Sequence, residues 1–127
     1  MRMGLGLDIV EIGRIARLGR SRRFLERVFS REEILYCDGK KDKWQHYAVR
    51  FAAKEAVWKA LGRPGLALKD ISVTREPSGR PAVRIRGRAA KDVQLSLTHC
   101  DRYAAAAVFR LPAGRFPQRC SRPLASR

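Results

Sequence analysis

Arg50-Phe51-Ala52-Ala53-Lys54-Glu55-Ala56-Val57-Trp58-Lys59-Ala60-Leu61-Gly62 is the stretch whose reading decides the fold. It reads as a helix. Alanine, leucine, lysine and glutamate are strong helix formers, no proline interrupts them, and Gly62 followed by Pro64 marks a stop. Alanine and larger apolar residues spread around much of its circumference, the pattern of a helix packed on more than one side. Its charges are therefore informative. Arg50 and Lys54, Phe51 and Glu55, and Glu55 and Lys59 each stand one turn apart, so an acid and several bases share neighbouring faces. Glu55 to Lys59 is the favoured orientation of a solvated ion pair contributing about a few tenths of a kcal/mol. The same carboxylate among ammonium groups also suits a divalent cation, with the bases holding phosphate oxygens. Spacing alone fits both.

At 127 residues the chain suits one domain, long enough to bury a core without disulfides or metal. It carries 28 lysines and arginines against 12 acids, a formal charge of +16, and a pI of about 11.2. Such a surface implies a partner or substrate rich in negative charge: nucleic acid, anionic lipid, a phosphorylated small molecule or an acidic protein. The excess of arginine over lysine fits a basic surface set by genome composition equally well. Cys37, Cys100 and Cys120 show neither CxxC spacing nor a histidine pair suited to zinc, so a reducing, cytoplasmic home is expected. Asp8, Glu11 and Arg14 interrupt the apolar residues near the N-terminus, which argues against a signal peptide. The longest apolar run, Tyr103 to Phe109, is strand-sized and far short of a membrane span.

Met3 to Ile12 sets Leu5, Leu7, Ile9 and Val10 around Gly4 and Gly6, and reads as a short buried strand into which Asp8 intrudes. A carboxylate there must be hydrogen-bonded, paired with a base, bound to a cation, or turned to solvent at a strand edge. From Glu11 to Leu18 the period becomes helical. Arg20, Arg22, Arg23, Arg27 and Arg31 then interleave with Phe24, Leu25, Val28 and Phe29, a basic amphipathic surface that suits either solvent or an acidic partner. Ser30 and Glu33 have the spacing of a capping box. Asp38 to Lys43 is a charged turn whose lysines are exposed loop residues or phosphate contacts, and Trp44 to Val49 leads into the central helix.

Beyond Gly62-Arg63-Pro64-Gly65, Asp70 to Thr74 and Ala82 to Arg86 alternate as the strands of a hairpin closed by Glu76 to Pro81. Arg88 to Asp92 is a connector or helical turn. Val93 to His99 and Tyr103 to Phe109 are two further strands, so the second half is an antiparallel sheet. His99 closes the first of these strands, a place for a structural or exposed histidine as readily as a catalytic one. Residues 111–127, rich in proline, glycine, serine and arginine, read as a flexible basic tail to a domain of residues 1–110. The fold class is α+β, a single domain with an antiparallel sheet packed on a long central helix.

Three separated signals stand in one order. They are Gly6-Leu7-Asp8 with Arg14 downstream, Arg50 to Glu55 with Lys59, and Leu95-Ser96-Leu97-Thr98-His99 followed by Tyr103-Ala104. In that combination the chain closely resembles the short 4′-phosphopantetheinyl transferases of the holo-acyl-carrier-protein synthase type, from about Met3 to Phe109 and including the Gly79-Arg80-Pro81 turn. The resemblance implies that family's fold and magnesium-dependent transfer of the phosphopantetheine arm from coenzyme A to a serine of an acyl carrier protein, releasing adenosine 3′,5′-bisphosphate. Asp8 and Glu55 match the family's metal-binding acids, and Lys59 its second-motif lysine beside the diphosphate.

For coenzyme A the resemblance leaves Arg50, Lys54, Lys41 or Lys43, Gly79, Pro81, Ser96, Thr98 and His99 as candidates, the basic residues being suited to its 3′-phosphate and diphosphate. The base that takes the serine proton stays open among a metal-bound water, Glu55 and another carboxylate. Carrier proteins of this class are acidic, so Arg14, Arg20, Arg23 and Arg27, with Leu18 and Phe24 as apolar contacts, match a docking surface. The family also implies a homotrimer with active sites shared between adjacent subunits. Gly62-Arg63-Pro64-Gly65 departs from the Gly-Thr-Gly-like turn usual there, and no ligand contact is carried over to it.

Two rival readings are a small nucleic-acid-binding protein and an inactive carrier-binding subunit. The first uses Arg14 to Arg31 with Trp44 and Tyr47, but leaves Asp8 and Glu55 without a purpose beside a phosphate backbone. The second is at odds with the joint presence of Asp8, Glu55 and Lys59.

Overall fold

The computed structural model describes residues 3–112. Of the expected tail of residues 111–127, residues 113–127, with Cys120, lie outside the described residues. Strand β1 (Gly4–Glu11) leads into three short helices, α1 (Ile12–Leu18), α2 (Arg22–Val28) and α3 (Arg31–Asp38), and then the long α4 (Lys43–Leu61). A single 3-10 turn (Leu68–Asp70) precedes the hairpin β2 (Ile71–Arg75) and β3 (Pro81–Ile85). The two-residue β4 (Arg88–Ala89), β5 (Val93–His99) and β6 (Tyr103–Arg110) complete the order.

Local rules place several boundaries. At α3 the predicted capping box forms, with Ser30 Oγ accepting from the Glu33 amide at 3.2 Å and Glu33 Oε1 accepting from the Ser30 amide at 2.9 Å. At the far end of α4, Gly62 takes the left-handed conformation, φ 53°, that only glycine adopts without strain. The start of α4 is different. It begins at Lys43, so Trp44 to Val49 form its first turns instead of a lead-in. Tyr47 and Ala48 are buried there, and no glycine or proline interrupts the segment.

The strands form two antiparallel sheets, β1-β6-β5 and β2-β3-β4. The sheet expected in the second half is therefore divided, and the N-terminal strand completes one part of it. β1 pairs with β6 along its whole length, from Gly4 opposite Arg110 to Glu11 opposite Tyr103. The Arg88 to Asp92 connector holds β4, which pairs with β3.

Helix α4 packs on β1 and β6 with one side and meets α1, α3 and β2 with others, as its apolar circumference requires. Ala48, Ala52, Ala53, Ala56 and Ala60 are all buried. The strand beside them comes close enough to exclude side chains. A Cβ on Gly6 would sit 1.8 Å from the Ala56 carbonyl oxygen, and one on Gly4 would sit 2.0 Å from that of Ala60.

This close approach reverses the expected burial of β1. Side chains alternate across a strand, so Gly4, Gly6, Asp8 and Val10 share the face turned to α4. Leu5, Leu7 and Ile9 must then face outward, and they are 73%, 66% and 67% exposed. The expectation of a buried apolar strand is corrected: its bulky residues form an open stripe, and its glycines make the contact.

Candidate active site

Asp8 is the next inward residue after Gly6, so the strand that lies on α4 through its glycines delivers a carboxylate to the same helix. Lys59 meets it. The ammonium donates to Asp8 Oδ1 at 3.3 Å and to the Leu7 carbonyl at 3.0 Å. The one-turn Glu55–Lys59 ion pair allowed by spacing is not formed, and Lys59 bridges to the strand instead. Glu55 is part-buried, and burial raises its affinity for a proton above the ordinary carboxylate range. The charge of Asp8 adds to that rise, while Lys59 and Arg14 oppose it. The two acids, far apart in sequence, thus sense each other across the β1–α4 contact.

Two carboxylates of this kind fit a hard divalent cation, which is commonly held by one or two acids with substrate oxygens and water completing its shell. Among the described residues no group of three potential His, Cys, Asp or Glu ligands gathers. An all-protein cage of the zinc or calcium type is therefore not built around Asp8 and Glu55.

A second feature lies elsewhere on α4. A cavity of about 240 Å³ is bounded by the first half of the helix, the β2–β3 hairpin and the end of β5. Of the residues expected to bind coenzyme A, it brings together Arg50, Pro81, Thr98 and His99. Arg50 is 5% exposed, its Nε has no hydrogen-bond partner, and one terminal nitrogen makes a long 3.4 Å bond to the His46 carbonyl. His99 shares a 2.8 Å hydrogen bond with Gln45. Gln45, His46, Val49 and Arg75 also line this cavity and were not singled out from sequence. Starting the helix at Arg50 hid the first three, because Gln45 and Val49, and His46 and Arg50, are one-turn neighbours on α4.

The remaining candidates lie apart from this cavity. Ser96 projects from the outer face of the β1-β6-β5 sheet, opposite Ala107. Gly79 occupies the tip of the hairpin at φ 87°, where its carbonyl accepts from Arg75 at 3.0 Å. Lys41 and Lys43 border a neighbouring open groove that shares Gln45, and the Lys43 ammonium lies 4.8 Å from the Trp44 ring centroid.

Lys54 is the clear correction. Its side chain is wholly buried, and its ammonium donates to Glu33 Oε1 at 2.6 Å and to the Ile71 carbonyl. The same Glu33 accepts from the Val73 amide at 3.1 Å. Lys54 therefore ties α4 to α3 and β2, and its complete burial keeps the ammonium away from any ligand at the surface. Burial lowers its hold on a proton while Glu33 opposes that effect.

The basic segment keeps its expected exposure. Arg14, Arg20, Arg23 and Arg27 are exposed, Leu18 is 38% exposed, and Phe24 is half-buried with its ring 6.4 Å from that of Phe51. Of this segment, Arg14 acts on the acid pair, its charge opposing the rise at Glu55.

β1 thus carries an acid onto a long helix, in a chain with an exposed basic helical segment and a cavity walled by a buried arginine, an arrangement suited to phosphorylated substrates. Residues 4–108 match the model of the 4′-phosphopantetheinyl transferase superfamily. A holo-(acyl-carrier-protein) synthase of Koribacter versatilis is 43% identical over 123 residues, covering 85% of this chain and 97% of the relative. That of Anaeromyxobacter sp. strain K is 46% identical over 122 residues, covering 85% and 94%. The solved holo-(acyl-carrier-protein) synthase of Bacillus anthracis, in complex with coenzyme A (3′,5′-ADP), superposes with a TM-score of 0.74 at 32% identity, covering 86% of this chain and 97% of that one. The chain belongs to the 4′-phosphopantetheinyl transferase superfamily, as an enzyme of the holo-(acyl-carrier-protein) synthase type.

Proposed function

We propose that this enzyme transfers the 4′-phosphopantetheine group from coenzyme A to a serine of an acidic apo-acyl carrier protein, with magnesium, releasing adenosine 3′,5′-bisphosphate. The observation that carries the reading is the meeting of Asp8, Glu55 and Lys59 at the β1–α4 contact in a chain of this family. The serine oxygen forms a bond to the pantetheine-side phosphorus as its proton passes to a base, a water, Glu55 or another carboxylate. The bond from that phosphorus to the bridging oxygen breaks, and the bisphosphate leaves with the oxygen and its charge.

Little covalent help is needed for such a transfer, but the phosphates must be positioned and their charge neutralised. Asp8 and Glu55 would hold magnesium, which when bound would neutralise diphosphate charge. Lys59, 48% exposed, is free to turn from Asp8 toward the leaving oxygen. The Arg50 cavity serves the other end of coenzyme A. Along α4, Arg50 lies about 140° round from Glu55 and about 180° round from Lys59, so it faces away from the diphosphate and suits the separate 3′-phosphate. Arg14, Leu18, Arg20, Arg23, Phe24 and Arg27 form the docking surface for the carrier protein, positioned to bring its serine to the acid pair.

The working assembly is a homotrimer with shared sites. Two observations support this. Leu5, Leu7 and Ile9, continued by Phe109 on β6, form an exposed apolar stripe of the kind that marks an interface. None of Asp8, Glu55 and Lys59 lines the Arg50 cavity, so a single copy leaves coenzyme A held at two separate places. A cytoplasmic setting accords with Cys37 and Cys100 as free thiols.

The test is the intact mass of an acidic apo-acyl carrier protein after incubation with the enzyme, coenzyme A and magnesium. One added phosphopantetheine is expected, lost with chelator and with Glu55→Ala, and the native mass of the enzyme should read three copies. Should no carrier gain mass while the protein binds RNA with steep salt dependence, the nucleic-acid reading replaces this one.

A further inference from the structure

Arg50 holds a buried charge and an unsatisfied Nε at the wall of a cavity, and it lies against a neighbour the reaction does not otherwise use. The guanidinium carbon lies 4.2 Å from the ring centroid of Tyr36 on α3. The same ring meets the Lys40 ammonium at 4.7 Å and stands edge-on to His46, with centroids 5.8 Å apart at 80°. Tyr36 is only part-buried, and the strongly buried side of α3 is carried by Glu33, Ile34 and Cys37. Its ring is therefore turned toward a cluster of cations at the margin of the core.

The surrounding charges agree. Burial alone would raise the Tyr36 hydroxyl above its ordinary range, but the charge of Arg50, a hydrogen bond that the hydroxyl accepts from it, and the charges of Arg75 and Lys40 together bring it below. His46 is held below its ordinary value by burial first, then by Arg50, Lys40 and Arg75, with Asp42 opposing. Of the acids nearby, Glu33 is committed to Lys54, while Glu32 lines the adjoining cavity of about 260 Å³ on the Tyr36 side of Arg50. A planar guanidinium stacked on an aromatic face is both attracted to it and confined in orientation, and the Arg50 Nε stays without a protein partner. Without the ring, the long side chain would have to be ordered when the ligand binds, at a cost in affinity.

We propose that Tyr36 is a positioning residue that pre-sets the Arg50 guanidinium toward the phosphate of coenzyme A that does not react, and so sets the preference for the 3′-phosphorylated substrate. This rests on the proposed transfer reaction for its setting. The ring acts on recognition of the non-reacting end and leaves the phosphoryl-transfer step unchanged.

The experiment compares wild type, Tyr36→Leu, Tyr36→Phe, Arg50→Met and the Tyr36→Leu/Arg50→Met double variant. Calorimetric binding of coenzyme A and of 3′-dephospho-coenzyme A to each is set beside steady-state transfer. Tyr36→Leu should weaken coenzyme A binding and raise its KM about fivefold to tenfold, between the scales of an exposed and a desolvated cation–π contact, as suits a part-buried ring. The kcat should stay within about twofold, and the dephospho substrate should be nearly indifferent to the change. Tyr36→Phe, which keeps the ring, should retain most of the affinity, and the double variant should bind no worse than Arg50→Met alone.

Equal weakening for both substrates, a fall in kcat at unchanged KM, failure of Tyr36→Phe to rescue, or additive effects in the double variant would each overturn the role of Tyr36. Normal discrimination of the two ligands with no transfer to any carrier would remove the transferase reading alone. Absence of coenzyme A binding by the wild type would remove both.

Discussion

Lys54 and Lys59 lie five residues apart on α4, and the helix puts them to opposite uses. Lys54 is sealed between α3 and β2 with Glu33, both side chains at or below 1% exposure. Lys59 stands half in solvent at the end of the β1–α4 contact, with Asp8 at 3.3 Å. The first belongs to a buried, hydrogen-bonded pair that fixes how three elements meet; the second is a reachable charge beside two acids. The motif therefore divides into a half that builds the scaffold and a half left within reach of solvent. About 140° of helical rotation across five residues performs the division.

The comparison would break most visibly at Lys54. Lys54→Ala leaves the Glu33 carboxylate buried with an unpaired charge, and a loss of about 3–5 kcal/mol is expected, read by urea unfolding of the purified protein. If the variant unfolds at the wild-type midpoint, the pair is not structural and the division fails.

Lys59→Ala should do the reverse. Unfolding should shift by no more than about 1 kcal/mol, as for exposed pairs, because Lys59 is half exposed. The kcat for carrier-protein modification should fall about 10²-fold to 10³-fold, the scale of losing one donor to a developing charge. Single-turnover transfer separates this from a binding defect, and an unchanged kcat would take Lys59 out of the chemistry.

The smallest effect sharpens the electrostatic side. Glu55 in the folded protein holds its proton above the ordinary value of 4.5, because burial and Asp8 disfavour its charge. The folded state thus binds more protons than the unfolded one between that value and the raised one, and stability falls as pH rises through the window. Glu55→Gln in metal-free, low-salt buffer should accordingly raise the melting temperature at pH 7, with the gain vanishing near pH 4. Solvent screens this part-buried group, so about 1–2 °C is expected. A lower melting temperature at pH 7 would mean that Lys59 and Arg14 outweigh burial and Asp8.

Part of this arrangement was legible before the structure. The capping box at Ser30 and Glu33, the stop at Gly62 and the alternation of the hairpin strands are local, set by side chains and turns within a few residues of one another. Asp8, Glu55 and Lys59 were legible as a set because the family resemblance links them. Their contacts were not. Spacing offered Glu55 as the partner of Lys59, whereas the strand laid across the helix supplied Asp8, a residue fifty-one positions away. The first turns of α4, and with them Gln45, His46 and Val49, were missed because their burial depends on neighbours the chain brings in from elsewhere.

By itself, the sequence determined the kinds of element, most of their limits, the basic character of the surface and the family to which the chain belongs. The tertiary structure alone decided which face of each element is inside. It placed Gly4 and Gly6 against the backbone of Ala60 and Ala56, which turned Leu5, Leu7 and Ile9 to solvent and sent Asp8 to the helix. It also closed Glu33 over Lys54 and left Arg50 on Tyr36. The physical reason is that periodicity specifies two sides of a strand or helix but not which of them will meet a neighbour. That choice is made by close packing, where a missing Cβ or a single buried charge decides between otherwise equal faces.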